Sequence, residues 1–223
     1  MKGKLIVIEG LDSCGKATQT KLIAKKLEEM NYKVKLVTFP DYDSDSSALV
    51  KMYLNGEISE KAEDVNAYAA SSFYAVDRFV SYKTKWEKKY LDDYTIVFDR
   101  YVTANMIHQA SKFSDEAEKR KFIDWLLDFE YGLYGLPEPT VKLFLDVPPE
   151  ISARLMKERL NKFSGEAAKD IHERDADYLY KTYENAKFIA SNYGFKIINC
   201  VKDGNLRSIE DIQNEIREIA DGI

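Results

Sequence analysis

Short apolar runs recur along the chain, separated by longer stretches with a different hydrophobic period. Four runs are rich in β-branched and aromatic residues. Such near-continuous runs are typical of strands that are buried on both faces of a parallel sheet. A fifth, weaker run lies near the C-terminus. The predicted strands are Leu5–Ile8, Val34–Phe39, Thr95–Phe98, Val141–Leu145 and Lys196–Asn199.

The segments between these runs show helical spacing. Near the C-terminus, isoleucines at 209, 212, 216 and 219 recur every three or four residues, and Ser208 stands where a helix N-cap is expected. Alternating strands and helices predict an α/β fold, a five-stranded parallel sheet flanked by helices on both faces. We predict one domain over residues 1–223, with a polar, glycine-containing lid at about 159–172.

The composition narrows the class of protein. A length of 223 residues suits one domain with a substantial core, and the formal net charge of −5 argues against a nucleic-acid polymer as partner. No apolar stretch approaches the roughly 20 residues of a membrane helix, and the N-terminal apolar run is too short for a signal peptide. Cys14 and Cys200 lie far apart and lack metal-ligand spacing. We expect a cytoplasmic protein without zinc or a structural disulfide.

The strongest motif follows the first predicted strand and opens a helix. It reads Gly10, Leu11, Asp12, Ser13, Cys14, Gly15, Lys16, Ala17, Thr18. Glycines allow the backbone to direct several N–H groups at phosphate oxygens, and the helix start adds its positive dipole end. Lys16 supplies a point charge for the β- and γ-phosphates. This strand, loop and helix predict a Walker A phosphate loop that binds ATP.

One position departs from the usual loop. The residue after the lysine, normally a serine or threonine that binds Mg²⁺, is Ala17, which has no ligating atom. Either the hydroxyl of Thr18 or water molecules held by carboxylates such as Asp99 complete the magnesium shell, or the protein binds the metal more weakly than is usual.

Three further groups of residues follow predicted strands, where ligands bind in open parallel sheets. Asp99, Arg100 and Tyr101 follow the third strand, so a carboxylate and a guanidinium stand near the phosphates, although a structural salt bridge is also common there. Phe39 and Pro40 end the second strand, where a proline can fix the backbone beside a ligand, although by itself it more often only terminates the strand. We count both, together with Tyr42, among the substrate-binding candidates.

The third group lies on predicted helices. Tyr74 and Arg78 share a helical face, which suits base stacking and recognition but equally suits a core tyrosine beside a surface arginine. Asn105 and His108 share another face, and an interior histidine without a ligand remains open as an alternative.

With these motifs together, the chain resembles the thymidylate kinase family over nearly its whole length. The resemblance implies phosphoryl transfer from ATP to dTMP, with Mg²⁺ as cofactor and a homodimer as the assembly. Asp12 would contact the sugar or phosphate of dTMP, and Arg100 the transferring phosphates. Tyr74 would stack on thymine and Arg78 would bond a thymine carbonyl. Arg154, after the fourth strand, would pack on the adenine of ATP.

The resemblance has two departures. The family commonly carries an arginine two residues after the Phe-Pro pair, where this chain has Tyr42, and a serine or threonine where it has Ala104. The phosphate loop also lacks the arginine that some members use to contact the γ-phosphate. The lid would then supply that charge, with Arg159, Lys162 and Lys169 as candidates.

Two other functions remain open from the sequence. A deoxyribonucleoside kinase shares the fold and the Asp-Arg pair but needs a general base near a 5′-hydroxyl, and Asp41 stands close to the required place. A nucleotide-binding protein with degraded catalysis is favoured only by Ala17.

Overall fold

The computed structural model describes residues 2–162 and 176–221, without the side chains of 156–162, 176–177 and 220–221. Five parallel strands form one sheet in the order β2-β3-β1-β4-β5. A short antiparallel hairpin, which the hydrophobic pattern did not indicate, follows the last of them. The strands are β1 Leu5–Glu9, β2 Val34–Thr38, β3 Thr95–Asp99, β4 Val141–Asp146, β5 Lys196–Asn199, β6 Val201–Lys202 and β7 Asn205–Leu206.

All five predicted strands are therefore present, and the predicted fold class is confirmed. The central strands β1 and β3 are buried at every position, whereas the edge strand β5 is exposed at three of its four residues. This difference explains why the apolar run at Lys196–Asn199 looked weaker in the sequence, because the exposed side chains of an edge strand do not need to be apolar.

Helices cover both faces of the sheet. They are α1 Lys16–Glu29, α2 Ala48–Leu54, α3 Ala67–Ser81, α4 Glu87–Leu91, α5 Val102–His108, α6 Glu116–Leu127, α7 Pro149–Lys162, α8 Ala176–Asn192 and α9 Ile209–Asp221. Ser208 caps α9 as predicted, with its Oγ accepting the N–H of Asp211 at 3.0 Å.

Alternation along β1 divides the core into two layers. Ile6 and Ile8 pack with apolar residues of α1 and α9 on one face of the sheet, while Leu5 and Val7 point into a larger cluster fed by α5, α6 and α8. All four side chains are essentially fully buried, and burial of each contributes about 1.5–3 kcal/mol.

An aromatic cluster lies beneath the carboxyl ends of β2 and β3. The rings of Phe98 and Tyr101 stack with centroids 4.6 Å apart, and Phe39 and Trp86 approach Phe98 at 6.2 and 5.2 Å. Each such pair contributes about 0.5–1.5 kcal/mol beyond burial. Their packing fixes the ends of two strands relative to each other, and these ends carry the candidate site.

Two helices continue into π-helical turns. The first, Tyr82–Trp86, joins α3 to α4, and the second, Asp128–Leu133, follows α6. The predicted lid begins inside α7, which extends to Lys162, and residues 163–172 lie outside the described residues. The single-domain organisation thus stays a prediction. Among the residues described, no helix is both long and apolar enough to cross a membrane.

Candidate active site

The loop between β1 and α1 has the backbone geometry of an anion cradle. A side chain at Gly10 would meet the carbonyl oxygen of Leu145 at 3.0 Å and the sulfur of Cys14 at 2.6 Å, so only glycine fits. Gly15 has φ +94°, a left-handed conformation that favours glycine, and caps α1 without a side-chain hydrogen bond. Backbone N–H groups at the start of α1 are therefore left for a bound phosphate.

Lys16 is the first residue of α1 and is 94% buried, with a relative exposure of 6%. Its ammonium donates to the carbonyl oxygen of Leu11 at 2.6 Å and lies 3.8 Å from the sulfur of Cys14. The cation is thus held inside the loop by weak, neutral acceptors, which phosphate oxygens can replace with a stronger, charge-assisted bond.

An open cavity lies beside this loop, at the carboxyl ends of β1, β2 and β3. All nine residues that the sequence analysis proposed for substrate binding line it. They are Asp12, Phe39, Pro40, Tyr42, Tyr74, Arg78, Arg100, Asn105 and His108. Leu54, Tyr101, Ala104 and Gln109 complete the lining. The structure brings these residues together, and their individual roles toward a ligand stay predictions.

Arg100 is the centre of the polar side of the cavity. Its Nη2 donates to Oδ1 of Asp12 at 2.6 Å, and its Nη1 lies 2.7 Å from Nε2 of His108. Because a guanidinium only donates, Nε2 of His108 is the acceptor in this contact. Burial disfavours the charge of Arg100, but the carboxylates of Asp12, Glu9 and Asp99 outweigh it and raise its pKa above the ordinary value. Arg100 is a fixed cation at neutral pH.

The backbone of Arg100 adopts φ +67°, which is uncommon for a residue with a side chain. The fully buried carboxylate of Glu9 supports the turn that follows. Its Oε1 accepts the N–H of Tyr101 at 3.0 Å and the hydroxyl of Thr103 at 2.7 Å. Burial raises the pKa of Glu9, while the nearby Arg100 opposes that rise. Sequence reasoning gave Glu9 no role, although an acid that ends a wholly apolar strand was a signal.

Tyr74 and Arg78, the pair predicted to recognise a base, are not a core tyrosine beside a surface arginine. Arg78 is 1% exposed, and its guanidinium binds the carboxylate of Glu130 through two bonds of 2.6 Å. The surface-arginine alternative is therefore wrong. Tyr74 lies in the cavity wall, with its ring edge-on to that of Tyr53 at 6.4 Å. Glu130, far away in sequence, was missed, and nothing in its local pattern identified it.

The loop after Pro40 is held from beneath by Asp77 on α3, which sequence reasoning also missed. The buried Asp77 carboxylate accepts the N–H of Asp41 at 2.9 Å and the hydroxyl of Ser46 at 2.6 Å. The peptide bond between Phe39 and Pro40 is cis. Tyr42, which occupies the place of the expected arginine, is half exposed at the rim of the cavity.

Other predicted residues lie away from the cavity or outside the description. Arg154 is exposed on α7 and does not line the cavity. Arg159 and Lys162 belong to α7, but their side chains are not described, and Lys169 lies outside the described residues. Thr18 is exposed in the first turn of α1, and Asp99 is 8% exposed at the end of β3.

The fold and the phosphate loop define a P-loop kinase with a cavity beside that loop. The model of the thymidylate kinase family matches residues 8–216. A probable thymidylate kinase from Methanocaldococcus jannaschii is 31% identical, with 95% of this chain and 92% of that protein aligned. The thymidylate kinase of Mycobacterium tuberculosis is 29% identical over 80% of this chain and 81% of its own length.

A solved structure of thymidylate kinase from Candida albicans has the same fold. It superposes with a TM-score of 0.67 at 23% identity and covers 99% of this chain and 92% of its own. The chain belongs to the thymidylate kinase family. It is an ATP-dependent nucleoside-monophosphate kinase.

Proposed function

We propose that this member of the family transfers the γ-phosphoryl group of ATP to dTMP, giving dTDP and ADP, with dTMP in the cavity and the triphosphate on the Lys16 loop. The observation that carries the assignment is the convergence of nine separately predicted residues on one cavity beside that loop. Family membership supports the same reaction.

The lining of the cavity suits a nucleoside monophosphate. Tyr74 offers a ring for base stacking, and Arg78 and Asn105 offer hydrogen-bond donors. Arg100, which is bonded to Asp12 of the phosphate loop, offers a cation. Asp12 and His108 hold the Arg100 side chain from two sides, so the guanidinium is preorganised where charge develops during transfer.

Lys16 and the start of α1 would neutralise the donor phosphates, and Arg100 would bridge donor and acceptor. Phosphoryl transfer requires little covalent chemistry from the protein, so positioning and charge provide most of the rate enhancement. Arg159, Lys162 or Lys169 would supply the further charge that the loop lacks, and Arg154 would pack against adenine.

The donor set around the loop fits Mg²⁺ rather than a metal held by a protein cage. The described residues contain no group of three or more acidic, histidine or cysteine side chains able to hold a metal. Mg²⁺ usually binds through one or two carboxylates, substrate phosphates and water. Asp99, with Thr18 as a second candidate, would hold the ion, which when bound supplies charge neutralisation to the phosphates.

A homodimer and a cytoplasmic location complete the proposal. Val76 and Phe79 on α3, and Leu49 and Met52 on α2, leave large apolar side chains 36–43% exposed in the single chain. Such a surface is typical of an interaction face. Sedimentation of the chain and of Val76→Lys tests the dimer, because a monomeric wild-type protein would contradict it.

The cytoplasmic location is supported by the two cysteines. Cys14 and Cys200 are buried free thiols, which suits a reducing compartment.

The deoxyribonucleoside kinase alternative is not favoured. The carboxylate of Asp41, its candidate base, forms an ion pair with Lys85, and Asp41 is not part of the cavity lining. A panel of acceptors decides the matter. We expect kcat/KM to fall in the order dTMP, dUMP and then dGMP, with thymidine inactive, at one fixed ATP concentration. If thymidine or dGMP is the best acceptor, the assignment is wrong.

A further inference from the structure

Glu130 does not line the cavity, but its carboxylate binds the guanidinium of Arg78, which does. Its carboxylate comes from the π-helical turn Asp128–Leu133 and is fully buried. Oε2 accepts from Nε of Arg78 and Oε1 from Nη2, both at 2.6 Å. This is the two-bond, planar geometry that holds a guanidinium in one orientation.

The contacts of Arg78 leave few donors for a ligand. A guanidinium carries five N–H groups, on Nε, Nη1 and Nη2. Glu130 takes one from Nε and one from Nη2, and the carbonyl oxygen of Tyr101 accepts a third from Nη1 at 3.4 Å. Two N–H groups remain, one on each terminal nitrogen, and Arg78 lines the cavity. The side chain therefore presents an edge that can donate but cannot accept.

The charges around the pair favour this fixed state. Burial disfavours the charge of Arg78, but the Glu130 carboxylate beside it outweighs burial and raises the pKa of Arg78. Burial raises the pKa of Glu130, and the guanidinium opposes that rise. Tyr101, Tyr131 and Asp77 are the other titratable groups near the pair. A buried ion pair is rarely more stable than apolar side chains of the same size, so stability does not account for it.

We propose that Glu130 is a positioning residue that sets base specificity: it fixes Arg78 so that only an acceptor at the 4-position of a pyrimidine is matched. Thymine and uracil carry a carbonyl there, whereas cytosine carries an amino group that would meet a second donor. A mismatch of this kind leaves buried polar groups unpaired and is strongly rejected. The inference rests on the proposed function, since it concerns the base of the acceptor in the same cavity.

The test measures kcat and KM for dTMP and dCMP in wild-type protein, Glu130→Gln, Glu130→Asp and Arg78→Met. Gln keeps the shape but places an NH₂ against a donor of Arg78, so the guanidinium loses its orientation. We expect the KM for dTMP to rise at least tenfold with a smaller change in kcat, and the dTMP/dCMP ratio of kcat/KM to fall at least tenfold. The KM for ATP should not change. Glu130→Asp keeps the charge but withdraws it by one methylene. Its KM for dTMP and its dTMP/dCMP ratio should therefore lie between those of wild type and Glu130→Gln.

Two comparisons separate positioning from a purely structural role. Glu118 is exposed on α6, so Glu118→Gln is a matched control that should leave every parameter unchanged. Arg78→Met combined with Glu130→Met should be more stable in urea than either single Met variant, yet show the same low dTMP/dCMP ratio as Arg78→Met.

The inference is overturned if Glu130→Gln keeps the wild-type dTMP/dCMP ratio of kcat/KM while Arg78→Met lowers it. If Glu130→Gln does not fold, Glu130→Asp takes its place in this comparison. The proposed function fails separately, if thymidine or dGMP rather than dTMP is the best acceptor of the wild-type protein.

Discussion

Replacement of Lys16 by methionine removes the one cation that the phosphate loop itself contains, while keeping a side chain of similar length. Lys16 is 6% exposed, and its ammonium donates to the carbonyl oxygen of Leu11 at 2.6 Å. In the reaction it has to exchange this neutral partner for phosphate oxygens, whose charge grows toward the transition state. The variant therefore isolates the electrostatic contribution of the loop.

The structure sets the expected magnitude. Two unit charges 4 Å apart interact by about 4 kcal/mol at an effective dielectric constant of 20. Loss of a single preorganised donor in other enzymes lowers kcat by about 10²–10³-fold, which is about 2.7–4 kcal/mol. We expect Lys16→Met to lower kcat at least that much. Lys16 does not line the cavity, so the affinity for dTMP should stay within about twofold.

The fold should tolerate the change. The hydroxyl of Thr20 bonds to the carbonyl oxygen of Lys16 and not to its side chain. Methionine also keeps the length of the buried side chain, so the unfolding free energy should change by about 1 kcal/mol or less, which is typical of a single substitution. Lys21→Met on the exposed side of α1 is the matched control.

ADP release in a coupled assay gives kcat, calorimetry gives the affinity for dTMP, and urea unfolding gives stability. Turnover within tenfold of wild type in a folded Lys16→Met protein would refute the role of the loop.

Three further predictions concern the lid, the cavity rim and a buried lysine. Neutralising Arg159, Lys162 and Lys169 together should lower kcat more than it weakens dTMP binding, and an unchanged kcat would place the missing charge elsewhere. Tyr42→Arg should lower the KM for dTMP by adding a charge-assisted contact, whereas a higher KM would exclude that contact. Burial lowers the pKa of Lys112 to about 8 from 10.5, so the unfolded chain binds more protons between these pH values. The unfolding free energy of wild type should rise relative to that of Lys112→Met as pH increases through that window. Equal pH dependence of the two free energies, measured by urea unfolding, would contradict this.

Local patterns were sufficient for the sheet, the phosphate loop and the candidate cavity. A strand buried on both faces has to be apolar at nearly every position, so β1 and β3 were visible as short runs. The loop was visible because glycine at 10 and 15 and lysine at 16 meet backbone requirements that few other residues satisfy. Residues that follow the carboxyl ends of parallel strands converge by topology, which brought Asp12, Pro40 and Arg100 to one cavity.

The sequence could not indicate the buried carboxylates that hold those residues in place. Glu9 supports the turn of Tyr101 from 92 positions away, Glu130 orients Arg78 across 52, and Asp77 holds the loop at Asp41 across 36. None of these acids has a local pattern that names its partner, because the partner is set by how helices pack on the sheet. The sequence determined which side chains can do the chemistry. Only the tertiary structure decided how each one is oriented, because a buried carboxylate binds whichever donor the packed fold places within reach.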